Sequence, residues 1–120
     1  MFLQIFEDEK PEITLKAGET LFNEGDDADS AYVVRDGEIR LSIKGKEIAS
    51  IMTSSDIVGE MALIDDDKRS ATAIAGPDGA TLHILDKALF KDAISEDPEF
   101  AVELMKTLVT KIRAWGKTLK

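Results

Sequence analysis

The sequence has no cysteine, a single histidine, three prolines and no apolar run long enough to span a bilayer. The lack of cysteine excludes disulfide bonds, thiolate metal sites and a cysteine nucleophile. The lone His83 lies in a strand pattern, which favours a structural or surface role. One imidazole is too few for a metal-dependent enzyme, so we expect no metal and no enzymatic activity. Because no signal-peptide pattern opens the chain, we expect a cytoplasmic location.

Positive charge is also scarce. Fifteen Lys and Arg residues stand against 24 Asp and Glu residues, giving a net charge of −9. Binding to nucleic acid requires clustered basic residues that neutralise phosphates. The densest basic stretch, residues 106–120, spreads five such residues along a helical pattern, which is typical of a solvated face. We therefore predict no direct nucleic-acid partner and no membrane partner.

The composition that is present fits one folded unit. The chain has 120 residues, 43% hydrophobic and 32% charged, which suits one core and is too short for two. We predict a single domain over residues 1–120.

Short apolar runs separated by turn residues predict a mainly β domain over residues 12–85. The clearest signal is a hairpin in which strictly alternating residues 38–43 are followed, after Lys44 and Gly45, by residues 46–52. We predict a second turn at residues 35–37 and a late hairpin around residues 76–79. Some eight short strands closing on themselves indicate a sandwich or jelly roll, that is, a double-stranded β-helix or β-roll.

After Leu85 the apolar period becomes helical. Asp86 suits the N-cap of a short helix, and Asp97 followed by Pro98 suits the start of a longer one that ends near Gly116. These C-terminal helices occupy residues 86–116. The apolar stripe of the second helix is most simply core packing against the roll, and its alternatives are a lid over a ligand or a dimer seam. That stripe comprises Phe100, Ala101, Leu104, Met105, Leu108, Val109 and Ile112.

Residues 54–69 contain the groups that best suit the binding of an anionic ligand. Gly59 lets a ligand approach the backbone, and the turn of helix that follows presents free N–H groups to an anion. Arg69 can place its guanidinium on two phosphate oxygens. Glu60 and Arg69 could instead form a simple ion pair.

This segment resembles the phosphate-binding cassette of the cyclic nucleotide-binding domain family, which includes bacterial catabolite activator proteins, kinase regulatory subunits and gated channels. The matching motifs are Val58-Gly59-Glu60-Met61-Ala62-Leu63 and Arg69-Ser70-Ala71-Thr72. The resemblance continues through Gly18-Glu19, Gly25-Asp26, Tyr32-Val33-Val34 and Gly37, and into the C-terminal helices.

The resemblance implies a role for each site residue. The counterpart of Glu60 accepts the ribose 2′-hydroxyl, and that of Arg69 pairs with the cyclic phosphate. The N–H groups of Met61 and Ala62 and the hydroxyl of Ser70 add further contacts. The expected ligand is a cyclic nucleotide, with cAMP favoured over cGMP, and binding is expected to reposition the C-terminal helices.

Two departures from the family pattern keep another function open. Lys68 stands where the family usually has proline, and Ser55 stands where it often has glycine. A module that retains the fold for protein interaction without binding nucleotide is the alternative. For the sensor, we expect an unidentified protein effector in trans and a homodimer through the C-terminal helix.

Overall fold

A series of β-strands followed by two helices makes up the part of the chain that the computed structural model describes, residues 12–53, 56–60, 63 and 68–119. The strands within these residues are β1 (Glu12–Leu15), β2 (Thr20–Phe22), β3 (Ser30–Ile43), β4 (Lys46–Met52), β5 (Ile57–Val58) and β6 (Thr72–Asp86). The helices are α1 (Lys87–Glu96) and α2 (Pro98–Leu119). The predicted mainly β class with C-terminal helices is confirmed.

Strands β3 and β6 form a long antiparallel ribbon that organises the sheet. Their register extends from Ser30 opposite Asp86 to Ser42 opposite Thr72. Each long strand changes its outer partner along its length: β6 pairs first with β2 and then with β1, and β3 pairs first with β5 and then with β4. The result is two groups of strands, ordered β2-β6-β3-β4 and β1-β6-β3-β5, that share the ribbon.

Two predicted turns are wrong, because both lie inside continuous strands. Residues 35–37 belong to β3 and residues 76–79 belong to β6. At this point the register shifts, since β3 advances from Gly37 to Ile39 while β6 goes from Ala80 to Ala75. The turn-forming residues therefore build a β-bulge, which bends the ribbon without reversing the chain.

Gly37 lies where the bent ribbon is most crowded. A Cβ built on this glycine would lie 2.1 Å from the Gly79 carbonyl oxygen, and the φ of Gly37 is +80°. Both the close approach and the left-handed conformation require glycine.

The remaining local predictions are mostly confirmed. The hairpin between β3 and β4 closes with Ile43 opposite Lys46. Asp86 caps α1, since its Oδ1 accepts a hydrogen bond from the Leu89 N–H at 2.8 Å. Helix α2 begins at Pro98 as expected but continues through Gly116 to Leu119. A single glycine costs a helix only about 1 kcal/mol and does not end it without further breaking signals.

Among the residues that the structure describes, buried apolar side chains form two clusters. The roll cluster lies within the strand groups and comprises Leu15, Phe22, Val34, Ile39, Leu41, Val58, Ala71, Ala73, Ala75, Ala80 and Leu82. The helix cluster joins strand residues to α1 and α2 and comprises Ala31, Val33, Ile57, Leu63, Leu85, Ala93, Phe100 and Leu104.

Some residues of the apolar stripe of α2 are buried in the helix cluster, and others are exposed to solvent. Phe100 and Leu104 are buried in the helix cluster. Met105, Val109 and Ile112 are 57%, 47% and 66% exposed, so the prediction of core packing is wrong for these three residues. They lie on an adjacent face of the helix, which the roll does not cover.

Candidate functional site

Arg69 is held in place through its backbone. Its N–H donates to the Asp26 carbonyl at 2.8 Å, and its carbonyl accepts from the Gly25 N–H at 2.9 Å. One residue before Gly25, the Glu24 N–H donates to the Thr72 Oγ1 at 2.9 Å. The loop between β2 and β3 therefore runs alongside the segment that leads into β6 and fixes where the Arg69 side chain begins.

The Arg69 guanidinium is buried, with the residue only 7% exposed. Nη2 donates to the Ser30 carbonyl at 2.7 Å, and Nη1 donates to the Gly59 carbonyl at 3.3 Å. Its Cζ lies 4.1 Å from the ring centroid of Phe22 and 5.9 Å from that of Tyr32. The Nε is also buried, and no group among the described residues accepts a hydrogen bond from it.

The electrostatic surroundings leave this cation poorly compensated. Burial lowers the pKa of Arg69, while the neighbouring Tyr32, Asp29 and Asp26 act in the opposite direction. An arginine remains protonated at any physiological pH despite such a shift. Within the described part of the chain, no carboxylate forms an ion pair with Arg69. A buried cation of this kind is favourable for an anionic ligand.

Gly59 follows the buried strand β5 and lies directly against the guanidinium. Its φ is +75°, and a Cβ at this position would lie 2.4 Å from the Arg69 Nη1. Any other residue would displace the arginine, so glycine is required here for contact as well as conformation.

Glu60, the next residue, is buried to 4% exposure. Its carbonyl accepts a hydrogen bond from the Leu63 N–H at 3.0 Å, consistent with the predicted turn of helix. Met61 and Ala62, the predicted backbone donors, lie outside the described residues. Ser70 is exposed and adjacent to Arg69 in the chain. Of the predicted site residues, the structure thus shows Gly59 and Arg69 in contact.

Lys68, one of the departures from the family pattern, has a contact of its own. Its Nζ forms an ion pair with an Asp27 carboxylate oxygen, and the two side chains are 61% and 90% exposed. The pair adds a link between the β2–β3 loop and the segment before Arg69, at a site where solvent screens the charges.

The sequence analysis missed two groups that contact the guanidinium. Nothing in the sequence around Phe22 marks its aromatic ring as a neighbour of Arg69. The Ser30 carbonyl is a backbone group with no sequence signature, and it lies 39 residues from Arg69 along the chain. Only the fold brings these groups to the arginine.

Other site types find no support in the described residues. No group of three or more histidine or acidic side chains could hold a metal ion there. His83 lies beside Glu12, with its Nδ1 3.9 Å from Glu12 Oε2. Among the same residues, no helix has the length and hydropathy that crossing a membrane requires.

Known proteins share the fold of this chain. The family model of the cyclic nucleotide-binding domain matches residues 12–97. The solved structure of the Thermus thermophilus Catabolite Activator Protein superposes with a TM-score of 0.79 at 26% identity, covering 98% of this chain and 55% of that one. The fold is therefore the roll of that regulatory class.

Two curated relatives differ in the nucleotide that they name. The CRP-like cAMP-activated global transcriptional regulator of Mycobacterium tuberculosis is 26% identical over 106 residues, 85% of this chain and 47% of the relative. The cGMP-dependent protein kinase of Plasmodium berghei is 40% identical over 60 residues, 50% of this chain and 7% of the relative. The chain spans 47% or less of the first curated relatives it matches.

The fold and the comparisons together define a regulatory ligand-binding domain. The chain belongs to the cyclic nucleotide-binding domain family.

Proposed function

We propose that this chain is a sensor for a 3′,5′-cyclic nucleotide whose phosphate pairs with Arg69. The proposal rests on the buried guanidinium of Arg69, whose Nε–H has no hydrogen-bond acceptor among the described residues. A singly charged cyclic phosphate would supply both the missing acceptor and the missing negative charge. No catalytic step is part of this function.

The other residues of the proposed site are close to Gly59 or to Arg69 in the sequence. Glu60 accepts the ribose 2′-hydroxyl, for which its burial beside Gly59 is favourable. Backbone N–H groups of Met61 and Ala62 and the hydroxyl of Ser70 bind phosphate oxygens. We favour cAMP over cGMP, in line with the nucleotide named for the Mycobacterium tuberculosis relative.

The proposed output is a movement of α1 and α2. Leu63, three residues after Glu60, shares the helix cluster with Ala93, Phe100 and Leu104. A ligand that draws the Glu60 segment inward would change this packing and so bias the helices. The chain would act as one unit in the cytoplasm, as the sequence predicts.

The signal would be read by a second protein chain. The exposed face of Met105, Val109 and Ile112 supports a homodimer through α2, because large apolar side chains are seldom left together in water. An effector acting in trans is the other partner we propose.

One observation favours the alternative of a ligand-free interaction module. Both terminal nitrogens of Arg69 already donate to carbonyl oxygens, so the arginine has a structural role without any ligand. The two functions make opposite predictions for nucleotide binding.

Calorimetric titration with cAMP and with cGMP, beside a thermal-shift series, tests the sensor. We expect saturable binding that is abolished in Arg69→Ala and weakened in Glu60→Gln. Ligand at one hundred times its Kd should stabilise the fold by about 2.7 kcal/mol. Arg35→Ala is the matched control, since Arg35 is an exposed arginine paired with Glu12.

Because Arg69 is buried, its removal could also unfold the protein. Circular dichroism of each variant controls for this, and Arg69→Lys keeps the charge while losing the planar donor geometry. Absence of heat and of thermal shift with both nucleotides at millimolar concentration, in the folded wild-type protein, would refute the sensor and leave the interaction module.

A further inference from the structure

The ring of Phe22 lies against the buried guanidinium of Arg69. Phe22 is the last residue of β2 and is 9% exposed, and its centroid is 4.1 Å from the Arg69 Cζ. The ring of Tyr32 stacks on that of Phe22, with centroids 6.3 Å apart and planes at 29°. A cation over an aromatic face is attracted to the negative face of the ring, and the attraction is strongest when water is excluded.

Phe22 also lies against Gly59. A Cβ at this glycine would be 3.3 Å from the Phe22 Cε2, as well as 2.4 Å from the Arg69 Nη1. Ring, glycine and guanidinium are therefore neighbours. The carbonyls of Ser30 and Gly59 hold Nη2 and Nη1, and the ring holds the guanidinium through its face, so the edge that carries Nε is left for another acceptor.

The residues that follow Phe22 hold the backbone of the same arginine. Asn23 and Asp26 close a turn in which the Asp26 N–H donates to the Asn23 carbonyl at 3.0 Å. Gly25 and Asp26, inside that turn, make the two backbone hydrogen bonds to Arg69. Residues 22–26 thus hold Arg69 at two points: Gly25 and Asp26 bind its backbone, and the Phe22 ring contacts its guanidinium.

We propose that Phe22 is a positioning residue for nucleotide binding, because its ring sets the orientation in which Arg69 meets the phosphate. The proposal rests on the proposed function and adds a residue to its site. In this proposal Phe22 acts on Arg69 and not directly on the nucleotide. It acts by keeping the guanidinium in one plane before the ligand arrives, which lowers the cost of ordering on binding.

The first test compares cAMP and cGMP affinities of Phe22→Leu and Ile39→Val by calorimetry. Both changes remove buried apolar atoms from the roll cluster, but Ile39 is outside the group of residues around Arg69. We expect Phe22→Leu to bind about tenfold more weakly, the scale of the cost of ordering one long side chain on binding, and Ile39→Val to bind within about twofold of wild type. Equal losses in the two variants would overturn the proposal.

The second test changes the charge distribution of the ring and keeps its shape. Phenylalanine at position 22 is replaced by its mono-, di- and trifluorinated forms, which progressively weaken the negative ring face. We expect nucleotide affinity to fall stepwise along the series, while circular dichroism shows the same fold in every protein. Constant affinity across the series would show that the ring acts only as core and would overturn the proposal.

A ligand-independent readout separates this proposal from the sensor function. The Arg69 Nε–H resonance in the nuclear magnetic resonance spectrum should be displaced by the Phe22 ring current and should move towards the ordinary arginine position in Phe22→Leu. Wild-type binding with unchanged affinity in Phe22→Leu would overturn this proposal alone. A wild-type protein that binds neither nucleotide would overturn the sensor function and this proposal together, even if the resonance moves as expected.

Discussion

The roll cluster and the helix cluster bury similar kinds of side chain but are held in different ways. The roll cluster lies inside strands whose ladders continue from β1 to β6. The helix cluster depends on side-chain packing of α1 and α2 against a few strand residues, and α2 extends beyond it with an exposed apolar face. Backbone ladders fix the first region, whereas the second can change its packing at a lower cost in free energy.

The largest expected effect on stability comes from truncating a buried leucine, and one leucine from each cluster is compared. Leu82→Ala in the roll cluster should lower the free energy of unfolding by about 2–5 kcal/mol, the usual cost of a cavity. Leu104→Ala in the helix cluster should loosen α2 before the roll unfolds. Urea denaturation gives the global loss, and amide hydrogen exchange locates it. If Leu104→Ala exposed the β3 and β6 amides as strongly as Leu82→Ala, the two regions would be one cooperative unit.

The next largest effect on stability concerns two glycines at the β3–β6 ribbon and the β3–β4 hairpin. Gly37 and Gly45 both have a φ of +80°, but only Gly37 has neighbours where a Cβ would lie. Gly45→Ala should cost about 1–2 kcal/mol, the strain of a left-handed alanine. Gly37→Ala should cost clearly more, because its Cβ meets the Gly79 backbone. Thermal melts of the pair measure the difference, and equal melting temperatures would mean that the ribbon relaxes at the bulge.

Sequence patterns predicted the parts of this molecule that depend on local chemistry. Alternation marked the β3–β4 hairpin, and Asp86 and Asp97 marked the starts of both helices. The bulges at residues 35–37 and 76–79 were mistaken for turns, because the same glycine, proline and aspartate residues serve both and only the partner strand distinguishes them. Likewise the motif predicted Arg69 as a site residue, while the contacts of the Phe22 ring and the Ser30 carbonyl with it depend on the tertiary fold.

A smaller effect concerns the junction between the two regions. Asp86→Ala removes the N-cap of α1 and should destabilise the protein by about 1 kcal/mol. Because the cap belongs to the helical region, exchange should increase in the first turn of α1 and little elsewhere. Asp92→Ala, an exposed aspartate within the same helix, is the control. A uniform increase across β6 would place the cap in the cooperative core of the roll.

The smallest effect on stability should come from the exposed face of α2. Met105→Gln should change the free energy of unfolding of a monomer by less than about 0.5 kcal/mol, since the side chain is 57% exposed. If the chain forms a homodimer through this face, the same substitution should weaken association. Sedimentation measured at several concentrations separates the two results, and a strongly destabilised monomer would contradict the exposure of this residue.

Ser30 connects the two regions by its position. Its carbonyl accepts the Arg69 Nη2, and the same residue faces Asp86 at the end of the β3–β6 ladder. Asp86 is both the last residue of β6 and the cap of α1, so no flexible linker separates strand from helix. The hydrogen bond from Arg69 to Ser30 and the ladder pair of Ser30 with Asp86 therefore connect the buried guanidinium directly to the N-terminus of α1.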